Sequence, residues 1–182
     1  MKERLEMVAN IVVIVVACII GGYFLKERLA PPKPLAPSLK AGDHLPGLAA
    51  YDWKAHDHTL VLALRKGCHF CEDSMPFYRK LANLEESNRI DAHLVAVFPD
   101  DASTVQQLVQ KEQLPLQALP GVALDRMKVA GTPTLILVDQ QGRVSKVWEG
   151  ELAATGEEEV IAAISKPPVA QLTQHEFAAG TR

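Results

Sequence analysis

The chain has 182 residues, 48% of them hydrophobic, which is enough for one ordinary core with additional segments. Its formal net charge of −3 gives no basic field, so nucleic acid is not expected as a partner. Three cysteines are too few for a small domain held together by disulfides, and no glycine-rich nucleotide-binding motif is present.

Residues 7–25 are almost entirely apolar. As a helix they would extend about 28 Å, close to the hydrocarbon thickness of a bilayer. Residues 1–25 are therefore predicted to form an N-terminal membrane anchor. A lipoprotein signal ending at Cys18 is the alternative, but the apolar sequence continues beyond Cys18, where a mature lipoprotein would turn polar.

The next segment, residues 26–40, contains four prolines within ten residues. Proline fixes φ and removes a hydrogen-bond donor, so this stretch is expected to form an extended linker. A folded domain is predicted over residues 41–166. Residues 167–182 show little pattern and are expected to form a flexible tail.

Alternating strands and helices are predicted within this domain, which indicates an α/β fold with a mixed sheet covered on both faces. Short apolar runs predict strands at residues 51–53, 59–64, 92–98, 122–125, 135–138 and 144–148. Apolar residues at helical spacing predict helices at residues 74–88, 103–113 and 157–165.

Cys68 and Cys71 lie between the strand predicted at 59–64 and the helix predicted at 74–88. Two cysteines at this spacing form a redox-active disulfide or bind a soft metal. Cys68 falls at or just before the helix N-terminus, where free N–H groups and the helix dipole favour a thiolate. Cys71 comes one turn later, in a better covered position, which suits the cysteine that resolves a mixed disulfide.

A second candidate group precedes the first buried strand, where His56, Asp57 and His58 follow one another. Two histidines separated by one residue can lie on the same side of a strand and bind a metal together. Because no further ligand is near in sequence, a polar turn is the preferred interpretation, and no metal site is predicted.

The cysteine segment resembles a known family. Cys68-x-x-Cys71 followed by Met75-Pro76 resembles the C-x-x-C-x-x-x-M-P segment of thioredoxin-like proteins of the TlpA/ResA type. Residues 131–142 are similar to that family's Gly-x-Pro-Thr strand and Asp-x-x-Gly hairpin. The resemblance covers most of residues 41–166. It departs at Gly67, where the family often has Trp, and at Ser74, where it often has Glu.

The resemblance implies a thioredoxin fold with an extra helix and strand before the proline strand, behind one transmembrane helix. It implies that Pro133 follows a cis peptide bond and packs across from the cysteine pair. Thr132 would then offer backbone groups to an extended substrate.

His69 and Phe70, between the two cysteines, are further candidate substrate-binding residues. Two interpretations of His69 remain: a cationic ring would stabilise the thiolate, whereas a ring in solvent would do little. Phe70 is interpreted either as an apolar contact for partner proteins or as a cover of the pocket.

These features predict a thiol–disulfide oxidoreductase acting on protein thiols and disulfides, with no cofactor other than the Cys68–Cys71 disulfide. The resemblance also implies apocytochrome c, another cysteine-bearing envelope protein or a membrane electron donor as the partner. The direction of electron flow stays open between a reductive role, as in cytochrome c maturation, and an oxidative one. A copper- or other metal-binding module and a peroxidase are the alternatives. The Pro-x-x-x-Thr-x-x-Cys pattern of peroxiredoxins is absent before Cys68.

The expected location is the inner (cytoplasmic) membrane, with one span. Positive residues flank the apolar segment on both sides, so the positive-inside rule does not decide its orientation. The reactive cysteine pair favours a catalytic domain that faces the periplasm or the cell exterior, where disulfide chemistry is usual.

Overall fold

The computed structural model describes residues 39–48 and 51–166, together with residue 16. Among these residues, no helix is long and apolar enough to cross a membrane. The predicted anchor (1–25) lies outside the described residues except for residue 16, as do most of the linker (26–40) and the whole tail (167–182). These three predictions therefore stay predictions.

One mixed sheet of five strands forms the centre of the described domain, in the order β3-β2-β1-β4-β5. Strand β1 pairs in parallel with β2 and antiparallel with β4; β2 pairs in parallel with β3, and β4 pairs antiparallel with β5. The strands are β1 His58–Ala63, β2 His93–Val97, β3 Gln117–Leu119, β4 Thr134–Asp139 and β5 Val144–Glu149. The prediction of a mixed α/β sheet is confirmed.

The three central strands are buried along most of their length because their sequences are continuous apolar runs. Side chains alternate between the two faces of the sheet, so each strand contributes to two separate clusters. In β1, Leu60 and Leu62 face one cluster, whereas Val61 and Ala63 face the other.

Four helices contribute to the first cluster. They are α1 His69–Asp73, α2 Met75–Glu86, α3 Ala102–Glu112 and α4 Ala154–Ile164. The second cluster is closed by chain outside the regular elements, through Leu45, Leu48, Leu124 and Met127. The redox segment belongs to the helical side, since Cys71 is part of the first cluster.

The prediction of a strand at residues 122–125 is wrong. This segment forms turns in which the Arg126 and Met127 N–H groups donate to the Ala123 carbonyl. Its apolar residues still reach the core, because Leu124 packs in the second cluster. The short strand lies earlier, at β3, and pairs with the edge of β2.

One further prediction needs correction. Residues 51–53 do not begin a strand, because Trp53–Ala55 form a 3-10 turn in which the Asp52 carboxylate accepts the Lys54 N–H. The helix predicted at 74–88 is observed as α2, and the separate short helix α1 precedes it, with Ser74 between the two. Pro76, near the start of α2, has no N–H to continue a single helix through this point.

Candidate active site

The cysteine pair lies where β1 ends and α1 begins. Cys68 is the N-cap of α1, and its Sγ accepts a hydrogen bond of 3.3 Å from the Cys71 N–H. The two cysteines are joined as a disulfide, with their Cα atoms 5.2 Å apart. The position expected from the sequence, with Cys68 at a helix N-terminus, is therefore observed.

The turn before Cys68 is held from a neighbouring loop. The Lys66 N–H donates to the carboxylate of Asp100 at 3.0 Å, and Asp100 follows β2 in the chain. Sequence reasoning missed Asp100, because 34 residues separate the partners and nothing local marks the contact. The carboxylate fixes the backbone one residue before Gly67, which has a φ of +69°.

Thr132 and Pro133 lie directly against the cysteine pair. The Sγ of Cys68 is 3.3 Å from the Thr132 carbonyl oxygen and 3.3 Å from its hydroxyl oxygen. The Thr132–Pro133 peptide bond is cis, and Pro133 is buried just before β4 begins. The structure thus brings together four predicted site residues from segments 64 positions apart in the chain.

His69 and Phe70 both point away from the interior. The His69 side chain is 79% exposed and pairs with Asp73 at 3.2 Å, one helical turn later. Phe70 is 54% exposed and is the one large apolar side chain in residues 39–48 and 51–166 that is exposed. Among the described residues, the Cys68 sulfur accepts hydrogen bonds from the Cys71 N–H and the Thr132 hydroxyl, and none from His69.

The two cysteines differ in accessibility. Cys71 is only 1% exposed, whereas Cys68 is intermediate. Ser74 is buried and donates its hydroxyl to the Phe70 carbonyl at 2.7 Å. Glu72 and Asp73 are both exposed, so neither acid beside Cys71 in sequence is buried next to it.

The histidine group at the start of β1 is at the opposite end of the central strands. His56 stacks on His93, with ring centroids 4.2 Å apart, and His93 bonds Glu85 at 2.7 Å. Proximity to His93 and Glu85 was not visible in the sequence. Among the described residues, however, no three His, Cys, Asp or Glu side chains are placed to hold a metal ion.

Comparison with known proteins gives structural matches alone. No family model matches the chain, and no curated protein does. The thioredoxin domain of a thiol-disulfide oxidoreductase from Bacteroides vulgatus superposes with a TM-score of 0.52 at 20% identity, covering 69% of this chain and 98% of that one.

Two further solved structures agree. A thiol:disulfide interchange protein from Bacteroides sp. gives a TM-score of 0.53 at 16% identity, over 78% of this chain and 99% of its own. A thiol-disulfide isomerase from Corynebacterium glutamicum gives 0.52 at 15% identity, over 75% and 99%. At these identities the comparisons establish the fold: this chain contains a thioredoxin-like α/β domain.

Proposed function

We propose that this protein is a thiol–disulfide oxidoreductase of the TlpA/ResA type that exchanges disulfides with other proteins through Cys68 and Cys71. The observation that carries the proposal is the surroundings of the Cys68 sulfur, which caps a helix and touches Thr132 before a cis proline. Helix-terminal N–H groups and a hydroxyl donor stabilise a thiolate, the reactive form of cysteine.

The reaction needs only these residues. The Cys68 thiolate attacks one sulfur of a substrate disulfide and expels the other as a thiolate, which leaves a mixed disulfide. Cys71 then loses its proton and attacks the Cys68 sulfur, so the substrate leaves fully reduced. The same two steps in reverse oxidise a substrate dithiol.

Substrate contact is assigned to the surface around these sulfurs. The Thr132 backbone offers hydrogen-bonding groups to an extended segment, and exposed Phe70 offers an apolar contact. The structurally similar oxidoreductase from Bacteroides vulgatus and isomerase from Corynebacterium glutamicum are both thiol-disulfide proteins, which supports this chemistry. No cofactor beyond the cysteine pair is required.

A second part of the proposal concerns the cellular location of the protein and the direction of electron flow. Residues 7–25 anchor the chain in the cytoplasmic membrane, and the domain faces the periplasm or the cell exterior. There it takes electrons from a membrane donor and reduces protein disulfides, as in cytochrome c maturation. Membrane fractionation, with alkylation of intact cells by an impermeant thiol reagent, tests this placement. Labelling of Cys68 only after lysis would contradict it.

The proposed chemistry is tested by the reduction potential of the full chain in detergent, equilibrated with glutathione or dithiothreitol. We expect a reversible two-electron couple in the wild type and none in Cys68→Ser. A midpoint below about −220 mV supports the reductive role, and a value near −120 mV makes the protein an oxidant. Absence of any reversible couple would overturn the function.

A further inference from the structure

The backbone that leads from β1 to Cys68 is sparsely hydrogen-bonded. Leu64 is still tied to the sheet, because its N–H donates to the Val97 carbonyl at 3.0 Å. The next three residues, 65–67, are exposed and form what we call the redox turn. Among the described residues, the backbone of this turn has a single hydrogen-bond partner, the carboxylate of Asp100, which accepts the Lys66 N–H at 3.0 Å. This bond therefore fixes the chain in front of Cys68.

Asp100 can hold the redox turn because it is itself well anchored. Its carbonyl accepts the Gly121 N–H at 2.8 Å. Two residues earlier, the Phe98 N–H donates at 2.9 Å to the carbonyl of Leu119, the last residue of β3. Directly after Asp100, Asp101 begins α3 as its N-cap. The Asp100 side chain is half-buried and forms no ion pair with another described residue, so its carboxylate is available to the redox turn.

The orientation of the Cys68 sulfur depends on this turn. Cys68 has an extended backbone as the N-cap of α1, and Gly67 before it has a φ of +69°. Glycine reaches many other conformations at little cost, so a turn without its hydrogen bond can displace the sulfur. The contacts at stake are the hydrogen bonds from the Cys71 N–H and the Thr132 hydroxyl, each at 3.3 Å.

The hydrogen bond to Asp100 matters most in the reduced protein. In the oxidised form the disulfide to buried Cys71 also holds Cys68 in place. Reduction breaks that bond, and the position of Cys68 then depends on its own backbone. A contact that organises the reduced form more than the oxidised form raises the reduction potential of the pair, because it stabilises the product of reduction.

We propose that Asp100 is a positioning residue of the redox site. By holding the redox turn, its carboxylate keeps the Cys68 sulfur against its hydrogen-bond donors after the disulfide opens. The inference rests on the function proposed above and adds to it a residue from outside the cysteine motif. None of the described hydrogen bonds joins Asp100 to a cysteine, so Asp100 acts through the backbone of residues 66 and 67.

The negative charge of Asp100 has the opposite effect, because a nearby carboxylate disfavours a thiolate. Two variants separate the charge from the hydrogen bond. Asp100→Asn removes the charge and keeps an acceptor oxygen for the Lys66 N–H, whereas Asp100→Ala removes both. A difference between these two variants therefore reports the hydrogen bond alone.

The first measurement is the redox equilibrium of the full chain in detergent with glutathione at pH 7. We expect the equilibrium constant for reduction of the Cys68–Cys71 disulfide to be about threefold lower in Asp100→Ala than in Asp100→Asn, the scale of one lost hydrogen bond. Asp100→Glu is a second test of position. It keeps the charge but moves the acceptor by one methylene, so its constant should fall below that of the wild type.

The second measurement is the alkylation rate of Cys68 in the reduced protein as a function of pH. Peptide mass mapping distinguishes Cys68 from Cys18 and Cys71. The pH of half-maximal reactivity should be higher in Asp100→Ala than in Asp100→Asn, because a displaced sulfur loses donors to its thiolate. A loss of stability that is equal in both redox forms would move neither the equilibrium constant nor this profile, and urea midpoints of the oxidised variants report such a loss separately.

Asp101→Asn is the matched control. It removes the same charge one residue away, and its side chain bonds Ser103 and Thr104 and not the redox turn. It should not lower the equilibrium constant for reduction.

Equal equilibrium constants in Asp100→Ala and Asp100→Asn, together with a wild-type value in Asp100→Glu, would overturn the inference. So would a fall in Asp101→Asn as large as that in Asp100→Ala. The couple of the wild type reports on the proposed function separately. A reversible wild-type couple without these differences removes the role of Asp100 alone, whereas a missing couple removes the proposed function as well.

Discussion

Cys68 and Cys71 have different surroundings although only two residues separate them in the chain. The sulfur of Cys68 receives the Cys71 N–H and contacts the Thr132 hydroxyl, each at 3.3 Å. Cys71 packs inside the first cluster. Donors directed at one sulfur stabilise a thiolate there. This asymmetry supports the proposal that protein substrates exchange at Cys68 and that Cys71 resolves the mixed disulfide.

The Thr132 hydroxyl is expected to tune the redox couple. In Thr132→Val the reduced form loses a donor to its thiolate, so the disulfide becomes harder to reduce. We expect the reduction potential to fall by about 30 mV, equivalent to ~1.4 kcal/mol, the scale of one hydrogen bond to a charged group. Equilibration with glutathione at pH 7 measures the change.

Two matched variants control this prediction. Thr132→Ser keeps the hydroxyl and should retain most of the wild-type potential. His69→Ala should change the potential less than Thr132→Val, because the His69 ring is exposed and its partner is Asp73. A larger shift in His69→Ala would show that the imidazole, and not the Thr132 hydroxyl, governs the thiolate.

At the scale of elements, burial decides what the sequence reveals. Strands β1, β2 and β4 were predicted because they are continuous apolar runs, buried on both faces. Strand β3 was missed because it is a three-residue edge with no fully buried side chain. Apolar residues 122–125 misled the prediction, since turns can also bury a Leu.

The candidate site was only partly predictable for a related reason. The cysteine pair and the Thr132–Pro133 segment carry motifs, so the sequence was sufficient to single them out. The contact of Lys66 with Asp100 arises from packing between segments distant in the chain. No periodicity or spacing records such contacts, and they became visible only in the folded domain.

Helix α3 depends on its N-cap. The Asp101 carboxylate accepts the N–H groups of Ser103 and Thr104, both at 3.0 Å. These bonds satisfy N–H groups that the helix itself cannot, so Asp101→Ala should lower the urea midpoint of unfolding at pH 7. Asp101→Asn, which can also cap, should lower it less.

The effect of Asp101→Ala should depend on pH in a defined direction. Hydrogen bonds from Ser103 and Thr104 hold the pKa of Asp101 well below its ordinary value. A depressed carboxyl pKa stabilises the fold above the unfolded pKa, about 4, and this contribution disappears at lower pH. The difference between wild type and variant should therefore shrink below pH 4. A constant difference would contradict the charge-dependent part of the cap.

At the scale of the whole domain, the sheet separates two clusters, and the redox pair belongs to the helical one. Tyr78 on α2 lies in the same cluster as Cys71 and is 1% exposed. A group that titrates inside this cluster reports on the packing that holds α1 and α2 in place. Tyr78 is such a group because burial of its phenol in the cluster disfavours the ionised form.

Desolvation by burial raises the pKa of Tyr78 from 10.0 to about 12. Between these values the unfolded chain releases the phenol proton and the folded chain retains it, so unfolding is favoured as pH rises. The wild type should lose up to about 3 kcal/mol of unfolding free energy over this range from Tyr78 alone. Urea unfolding at pH 7, 10, 11 and 12, with absorbance of tyrosinate, measures this loss.

The Phe variant separates this effect from general alkaline destabilisation. Tyr78→Phe removes the titrating phenol, so its stability should decline less steeply above pH 10, although it loses a hydrogen bond with Ser74 at pH 7. Tyr51→Phe is the matched control. Desolvation also raises the pKa of Tyr51, but Tyr51 is less buried than Tyr78, so this variant should change the alkaline decline less than Tyr78→Phe. Parallel declines of wild type and Tyr78→Phe would mean that the cluster opens locally around α2 before the domain unfolds. In that case Cys71, which packs in the same cluster, would also become accessible at alkaline pH.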